Sequence, residues 1–157
     1  MKRIDDLIRH THYQLYLSFI RKSEKNRIFC EHDLSHFLDT ARIAYIINLE
    51  NGLGYTKEIL YAAALLHDIG RWEEYEKNIP HETASANLAK PIMVDVGFCD
   101  SEITMVVDAI LVHGQRNSSS LGNLLYLSDK KSRLCQFCQS EKKCNWDDEK
   151  KNKGIVC

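Results

Sequence analysis

The sequence predicts an all-α protein: a single helical bundle of about six helices with a short cysteine-containing C-terminal tail. Three observations support this fold class. Apolar residues recur at spacings of three and four through most of the 157 residues, which is the helical period. Only two prolines and seven glycines interrupt them, and no run alternates apolar and polar residues between turn signals as a strand would. A chain of this length suits one compact domain.

The first three helices lead to the centre of the predicted bundle. They are expected at residues 4–21, 31–50 and 56–69. Asn51-Gly52 ends the second, because glycine readily adopts the left-handed conformation that closes a helix, and Thr56 is a good N-cap for the third. The third helix is almost wholly apolar through residues 62–66. A helix that is apolar on all sides belongs at the centre of a domain.

The last three helices are expected at residues 80–94, from 100 or 101 to 113, and 121–134. Pro80 suits the first turn of its helix, whereas Pro91 could end or kink that helix early. Asp100 or Ser101 can cap the following helix, and the serines at 118–120 can start the last one. Residues 72–78 are strongly charged and are interpreted as a connection. We therefore expect a helical domain over residues 1–134.

Composition limits the function classes. The formal net charge is −1, and sequence-independent binding to nucleic acid needs a clustered excess of lysine and arginine. No run of about 18 uninterrupted apolar residues is present, so no membrane span is predicted, and the N-terminus lacks the apolar stretch of a secretory signal. These features favour a cytoplasmic protein with a small substrate. Oligomeric state is not indicated.

His67-Asp68 follows the most apolar segment of the chain. Burying a histidine or a carboxylate without a partner costs several kcal/mol, and a divalent cation satisfies both, since imidazole nitrogen and carboxylate oxygen are metal ligands. The alternative is a surface dipeptide or an internal hydrogen bond between the two side chains. Further candidates recur one per helix beside apolar neighbours: His36, His81, His113 and Asp129. Helical bundles build metal sites from ligands contributed in this way.

The order of these residues resembles the HD-domain superfamily of metal-dependent phosphohydrolases. The resemblance is carried by His36 within HFLDTARIA, by His67-Asp68 within ALLHDIG, and by Asp129 within LSDK. It covers approximately residues 31–133. The string Leu-His-Asp-Ile-Gly is among the most specific of the family.

The resemblance implies that His36, His67, Asp68 and Asp129 ligate a divalent metal. The ion could be Mn, Fe, Co, Mg, Zn or Ni, in one or two copies. His81 and His113 match the additional histidines of subfamilies that hold a second ion; substrate contact without metal is the alternative for this pair. His32 lies one helical turn before the first histidine and is interpreted as peripheral.

Catalytic roles follow from the same resemblance. A bound cation lowers the pKa of water toward neutrality, and Asp68 is the candidate for bridging two ions or for orienting the water. Arg71, Arg116 and Lys130 are the candidates for binding phosphate, which arginine can do with two hydrogen bonds; Arg71 is also assigned to the catalytic set. A solvated surface charge is the alternative for each of the three.

The tail, residues 135–157, provides a second signal. Cys135 and Cys138 have the spacing that lets two thiolates reach one metal, and Cys144 follows shortly after. Cys157 or a histidine could complete a structural zinc site or an iron–sulfur cluster. Reduced thiols packed on the bundle are the alternative, as expected in a reducing compartment. Cys30 and Cys99 are interpreted as ordinary semi-buried thiols.

The function that the resemblance implies is hydrolysis of a phosphate ester or anhydride. The substrate class is a nucleotide or another small phosphorylated metabolite. Two alternatives stay open: a di-iron centre on the same ligands that activates oxygen, and a module that senses a nucleotide without turnover.

Overall fold

The computed structural model describes residues 1–115 and 120–154, with Ser120 described by its backbone only. This part of the chain forms α-helices and short 3-10 turns and contains no strand, which confirms the all-α prediction. The helices are α1 (Lys2–Arg9), α2 (Thr11–Ser23), α3 (Leu34–Glu50), α4 (Lys57–Leu66), α5 (Arg71–Lys77), α6 (His81–Asp95), α7 (Asp100–Val112) and α8 (Ser120–Lys131).

The apolar helix α4 lies at the centre of the bundle, as predicted. It packs against α1, α3, α6, α7 and α8, and every residue from Ala62 to Leu66 is buried. Thr56 is its N-cap and accepts a hydrogen bond from the amide of Ile59, which satisfies one of the free N–H groups of the first turn. The helix ends at Leu66 rather than at residue 69. His67 and Asp68 therefore begin a turn whose side chains enter the space between helices.

Two parts of the helix prediction were wrong. The first helix is two helices, because His10 has an extended backbone (ψ 130°) and its side chain accepts a hydrogen bond from the amide of His12 to start α2. The apolar spacing continues across this break and hides it. Residues 72–78 are not a connection but most of α5, which ends at Asn78 in the left-handed conformation. Pro91 neither ends nor shortens α6, which continues to Asp95.

Gly70 joins α4 to α5 where α6 passes very close. A Cβ atom at this position would lie 2.4 Å from the backbone nitrogen of Ser85 and 2.6 Å from Cβ of Ala84. The Gly70 amide donates a hydrogen bond of 2.9 Å to Oγ of Ser85. Glycine is therefore required for close packing between the turn after α4 and helix α6.

After α8, 3-10 turns at Cys135–Phe137 and Glu141–Lys143 lead into an irregular segment. Residues 135–154 are called the cysteine tail below. Cys99 lies elsewhere and is exposed, which corrects its expected half-burial. Within the described residues, no helix combines the length and apolar character that crossing a membrane requires.

Candidate metal centre

His67 and His113 are held in the same way at the ends of two helices. Each is the C-cap residue of its helix, α4 or α7. The ring Nδ1 of His67 lies 2.6 Å from the carbonyl oxygen of Ala64, and that of His113 lies 2.6 Å from the carbonyl oxygen of Ile110. A carbonyl only accepts, so Nδ1 donates in both cases and Nε2 is the ring nitrogen that remains to bind an ion.

His36 and His81 have the same arrangement with different acceptors. Nδ1 of His36, on α3, lies 3.0 Å from Oγ of Ser132, which itself donates to the carbonyl oxygen of Asp129. Nδ1 of His81, the first residue of α6, lies 3.0 Å from Oε1 of Glu74. An acceptor on Nδ1 fixes the ring and leaves Nε2 available, as is usual for histidines that bind metal.

Asp68 presents its two carboxylate oxygens to different histidines. Its Oδ2 lies 3.2 Å from Nε2 of His67. Its Oδ1 lies 3.5 Å from Nε2 of His81 and 3.6 Å from Nε2 of His113. The side chain is 1% exposed. These histidines, together with the guanidinium of Arg71, therefore replace water around the carboxylate.

Asp129 completes one side of the cluster from α8. Its Oδ1 lies 3.2 Å from Nε2 of His36 and 3.9 Å from Nε2 of His67. Its Oδ2 accepts a hydrogen bond from Nζ of Lys130. The side chain is buried.

These residues form two groups that share Asp68. His36, His67, Asp68 and Asp129 bring one ligand atom each to within 4.8 Å of the others, and so do Asp68, His81 and His113. Nε2 of His36 and Nε2 of His67 are buried and lack a hydrogen-bond partner, so a cation fits the donor set that surrounds them. The six residues are called the histidine–aspartate site below.

Burial and charge act against each other in this site. Burial lowers the pKa of His36 to about 4. Burial also acts to lower the pKa of His67, but Asp68 and Asp129 outweigh it and raise that pKa to about 9. Burial alone would raise the pKa of both carboxyls, yet the charge of Arg71 beside Asp68 and the imidazole of His36 beside Asp129 help hold both values well below their usual range. Both carboxylates are therefore ionised.

His32 is part of the same cluster, so its interpretation as peripheral was wrong. Its amide donates to Oε2 of Glu24 (2.8 Å), and its Nδ1 lies 2.5 Å from Oε1 of the same carboxylate. Its Nε2 lies 3.5 Å from Oδ2 of Asp68. Burial acts to raise the pKa of Glu24, but hydrogen bonds from His32 and Tyr75 lower it to about 2. Glu24 and His32 flank an irregular segment, which has no periodicity from which to predict their pairing.

The three predicted phosphate-binding residues have different outcomes. Nε of Arg71 lies 3.1 Å from Oδ1 of Asp68, and its NH1 lies 2.9 Å from Oε2 of Glu74. Lys130 reaches the site by donating a hydrogen bond to Asp129. Its ammonium lies 4.6 Å from the ring centre of Trp146. Arg116 lies outside the described residues. Contact with substrate stays a prediction for all three.

A cavity of about 350 Å³ opens beside the site and is called the arginine cavity. Its lining residues are Arg27, Phe29, Cys30, His32, Arg71, Arg133, Cys144, Asn145 and Trp146. Three of these are arginines and none is a carboxylate. The sequence interpretation missed Arg27 and Arg133. For Arg133 a signal existed, because it lies one helical turn after Asp129; its side chain is 8% exposed and its Nε has no hydrogen-bond partner.

Comparison with known proteins gave a family match and a similar protein. The family model described as HD domain matches residues 33–135. A protein of Clostridium beijerinckii, named "Uncharacterized protein", is 46% identical over 152 residues, which cover 97% of each chain. No solved structure matches the chain significantly.

Proposed function

This chain belongs to the HD-domain family, and from that premise we propose that it is a metal-dependent phosphohydrolase. The proposed substrate is a phosphate ester or anhydride of a nucleotide or another small phosphorylated metabolite. One observation carries the proposal: four imidazoles with Nδ1 held by the protein direct Nε2 toward two buried carboxylates. Such preorganised nitrogen and oxygen ligands suit a divalent first-row metal.

The position of Asp68 favours two ions over one. Each of its oxygens faces its own set of histidines, with Oδ2 near His67 and Oδ1 near His81 and His113. Asp68 would therefore be the ligand that both ions share. A divalent cation supplies Lewis acidity to a phosphoryl oxygen and lowers the pKa of bound water. With two ions, both oxygens of Asp68 would be used as the shared ligand; with one ion, the second oxygen could orient that water and accept its proton.

The arginine cavity supports a phosphorylated substrate. Arg27, Arg71 and Arg133 line a space of about 350 Å³ without a carboxylate among the lining residues, and binding sites for small molecules begin at about this size. Asp68 and Glu74 outweigh burial and keep the pKa of Arg71 above its ordinary value, so its guanidinium remains charged. Trp146 offers an aromatic face in the same cavity, which would stack on a nucleobase.

The direct test is turnover with defined metals. Metal-stripped protein would be reloaded separately with Mn, Co and Mg and assayed with p-nitrophenyl phosphate, bis(p-nitrophenyl) phosphate and a panel of nucleotides, with and without oxygen. We expect phosphate or nucleotide release that requires metal and does not require oxygen. Product that forms only with oxygen would favour the di-iron alternative, and nucleotide binding without release would favour the sensing alternative.

Two variants assign the chemistry to the site. Asp68→Asn should lower kcat/KM by on the order of 10³-fold, the scale of a lost proton acceptor, whereas Asp39→Asn, a half-exposed aspartate paired with Arg42, should leave it unchanged. His36→Ala should lose bound metal, and the exposed His12→Ala should not. Full activity in Asp68→Asn, or unchanged metal content in His36→Ala, would contradict the proposal.

A further inference from the structure

Four cysteines that are far apart in the sequence line one small cavity. Cys30 precedes α3, Cys135 and Cys138 flank the first 3-10 turn of the cysteine tail, and Cys144 follows the second. The cavity has a volume of about 10 Å³, roughly the space of one water-sized sphere. We propose that Cys30, Cys135, Cys138 and Cys144 bind a structural zinc ion through four thiolates. The sequence alone indicated Cys135, Cys138 and Cys144 and did not identify the fourth ligand.

The backbone around the cysteines is folded into short turns that present the thiols together. The amide of Cys138 donates to the carbonyl oxygen of Cys135 (3.1 Å), and the amide of Cys144 donates to that of Glu141 (3.2 Å). On the opposite side, Nε of Arg27 donates to the carbonyl oxygen of Cys30 (2.8 Å) and fixes the segment before α3. Two thiols from a Cys-x-x-Cys turn and two from other segments are a common zinc ligand set.

The thiols are close enough to influence one another. Burial raises the pKa of the Cys30 thiol; Arg133 acts to lower it, and Cys135, Cys138 and Cys144 each raise it further. Within the described parts of the chain, only the two histidine–aspartate groups have three or more ligand atoms within 4.8 Å of one another, so the thiols of the cysteine tail are farther apart than this. To bind one ion, the cysteine side chains must therefore turn inward to reach bonding distance.

The cysteine tail needs a cross-link because it has almost no core. Across residues 135–154, the one buried residue is Cys135. Phe137 is 74% exposed, and Leu134, just before the tail, is 62% exposed. Little apolar burial therefore stabilises this segment. Small folds without a sufficient core commonly rely on a structural metal.

The zinc site would also hold one wall of the arginine cavity. Cys30 and Cys144 line both cavities, and Asn145 and Trp146 follow directly after Cys144. An ion that joins Cys30 to Cys144 would therefore help keep Trp146 in the lining of that cavity. This consequence does not depend on which reaction the histidine–aspartate site performs.

Cobalt substitution tests the site separately from the histidine–aspartate site. The metal-stripped full-length chain would be titrated with Co²⁺, since cobalt bound to thiolate gives a sulfur-to-metal charge-transfer band in the near ultraviolet and a nitrogen–oxygen site does not. We expect this band in the wild type and, unchanged, in Asp129→Asn. Zinc should bleach it in both. Protein purified without added metal should contain zinc that an organomercurial thiol reagent releases.

Variants of single cysteines assign the fourth ligand. In Cys30→Ser we expect the charge-transfer intensity per bound cobalt to fall by about a quarter, because one of four sulfur ligands is lost. Cys99→Ser, an exposed cysteine away from the tail, is the matched control and should leave the band unchanged. Cys30→His keeps a ligand in place and should shift the band while retaining cobalt, which provides a folded variant if the serine variant is unstable.

Several results would overturn the proposal. One is the absence of a charge-transfer band in the wild type; another is a band in Cys30→Ser with unchanged intensity and cobalt affinity. Disulfides found by thiol counting under non-reducing conditions, or a visible chromophore accompanied by inorganic sulfide, would replace zinc with a different cross-link. Apart from the Cys30→Ser comparison, these points are decided by measurements on the wild type, whether or not any variant folds.

Discussion

The histidine–aspartate site and the cysteine tail both collect metal-ligating side chains, but the chain supports them in opposite ways. His67, Asp68 and Asp129 are buried between helices whose apolar faces already pack together. In the cysteine tail, Cys135 is buried while Phe137 and most other side chains are exposed. Helix packing positions the first set of ligands, whereas little packing positions the second set.

An ion in the histidine–aspartate site would act on function, whereas an ion in the cysteine tail would act on structure. The turn His67–Gly70 is fixed by the end of α4 and by the contact of Gly70 with α6. An ion bound there adds charge to a frame that packing has already built. An ion bound by the cysteines would organise the tail itself, since binding and folding are then one process.

The largest expected effect comes from breaking the packing behind the histidine–aspartate site. In Gly70→Ala the new Cβ would lie 2.4 Å from the backbone nitrogen of Ser85, and overpacking of this kind lowers the free energy of unfolding by about 3 kcal/mol. Gly97→Ala has open space but a φ of +87°, so backbone strain should cost about 1 kcal/mol. Urea unfolding of both variants measures the difference. Equal losses would mean that the close approach to α6 does not support the site.

Removal of metal should have a smaller effect on stability, and it should affect the cysteine tail but not the helical bundle. After chelation we expect far-ultraviolet circular dichroism to retain the helical signal, because α4 and its neighbours stay packed. Limited proteolysis should cleave the cysteine tail at least about tenfold faster, which corresponds to about 1.4 kcal/mol of lost local stability. Zinc, added back, should restore protection. If chelation removed both the helical signal and the protection of the tail, the bundle would also depend on its ion.

The sequence predicted the parts of the molecule that periodicity controls. Helix α4 was evident from its apolar run. The candidates for the histidine–aspartate site were the His67-Asp68 pair after that run and four further residues, one per helix. The break at His10 was missed because apolar spacing continues through it. Helix α5 was missed because charged residues 72–78 look like a solvated connection, although Arg71 and Glu74 in fact pair within it.

The parts that could not be predicted depend on segments without a repeating pattern. Glu24, Arg27, Cys30 and His32 lie at or after the end of α2, and tertiary contacts alone bring them to Asp68 and to the tail. Spacing along one helix cannot reveal such neighbours. This explains why His32 was interpreted as peripheral and why the fourth cysteine was not identified.

Trp146 tests whether the cysteine tail contributes to substrate binding. It lines the arginine cavity and lies over the ammonium of Lys130. Under the proposed function, Trp146→Ala should raise KM about fivefold for a nucleotide substrate, since base stacking on an aromatic ring contributes about 1 kcal/mol. For p-nitrophenyl phosphate, which has no nucleobase, KM should change less. An equal loss of kcat for both substrates would instead indicate that the tail positions the histidine–aspartate site.

The smallest effect is expected from a change that weakens the bundle without touching either metal-ligating region. The Arg3 guanidinium pairs with Glu58 on α4 and with Glu102 on α7, and partly exposed pairs of this kind contribute about 0.5 kcal/mol. Arg3→Gln should lower the free energy of unfolding by that amount at neutral pH, whereas the exposed Arg9→Gln should not. Chelation should then expose the tail to protease equally in wild type and Arg3→Gln.

The pH dependence of that loss has a definite sign. The hydrogen bond from Arg3 is the main cause that holds the pKa of Glu102 below its ordinary value. A carboxyl with a lowered folded pKa contributes stability that is complete above the unfolded pKa of about 4.3 and disappears as pH falls through the folded pKa. Urea unfolding of wild type and Arg3→Gln should therefore differ at pH 7 and converge as the solution becomes acidic. A gap that stays constant on acidification would mean that Arg3 stabilises the bundle through its contact with the Phe98 ring rather than through its pairing with the carboxylates.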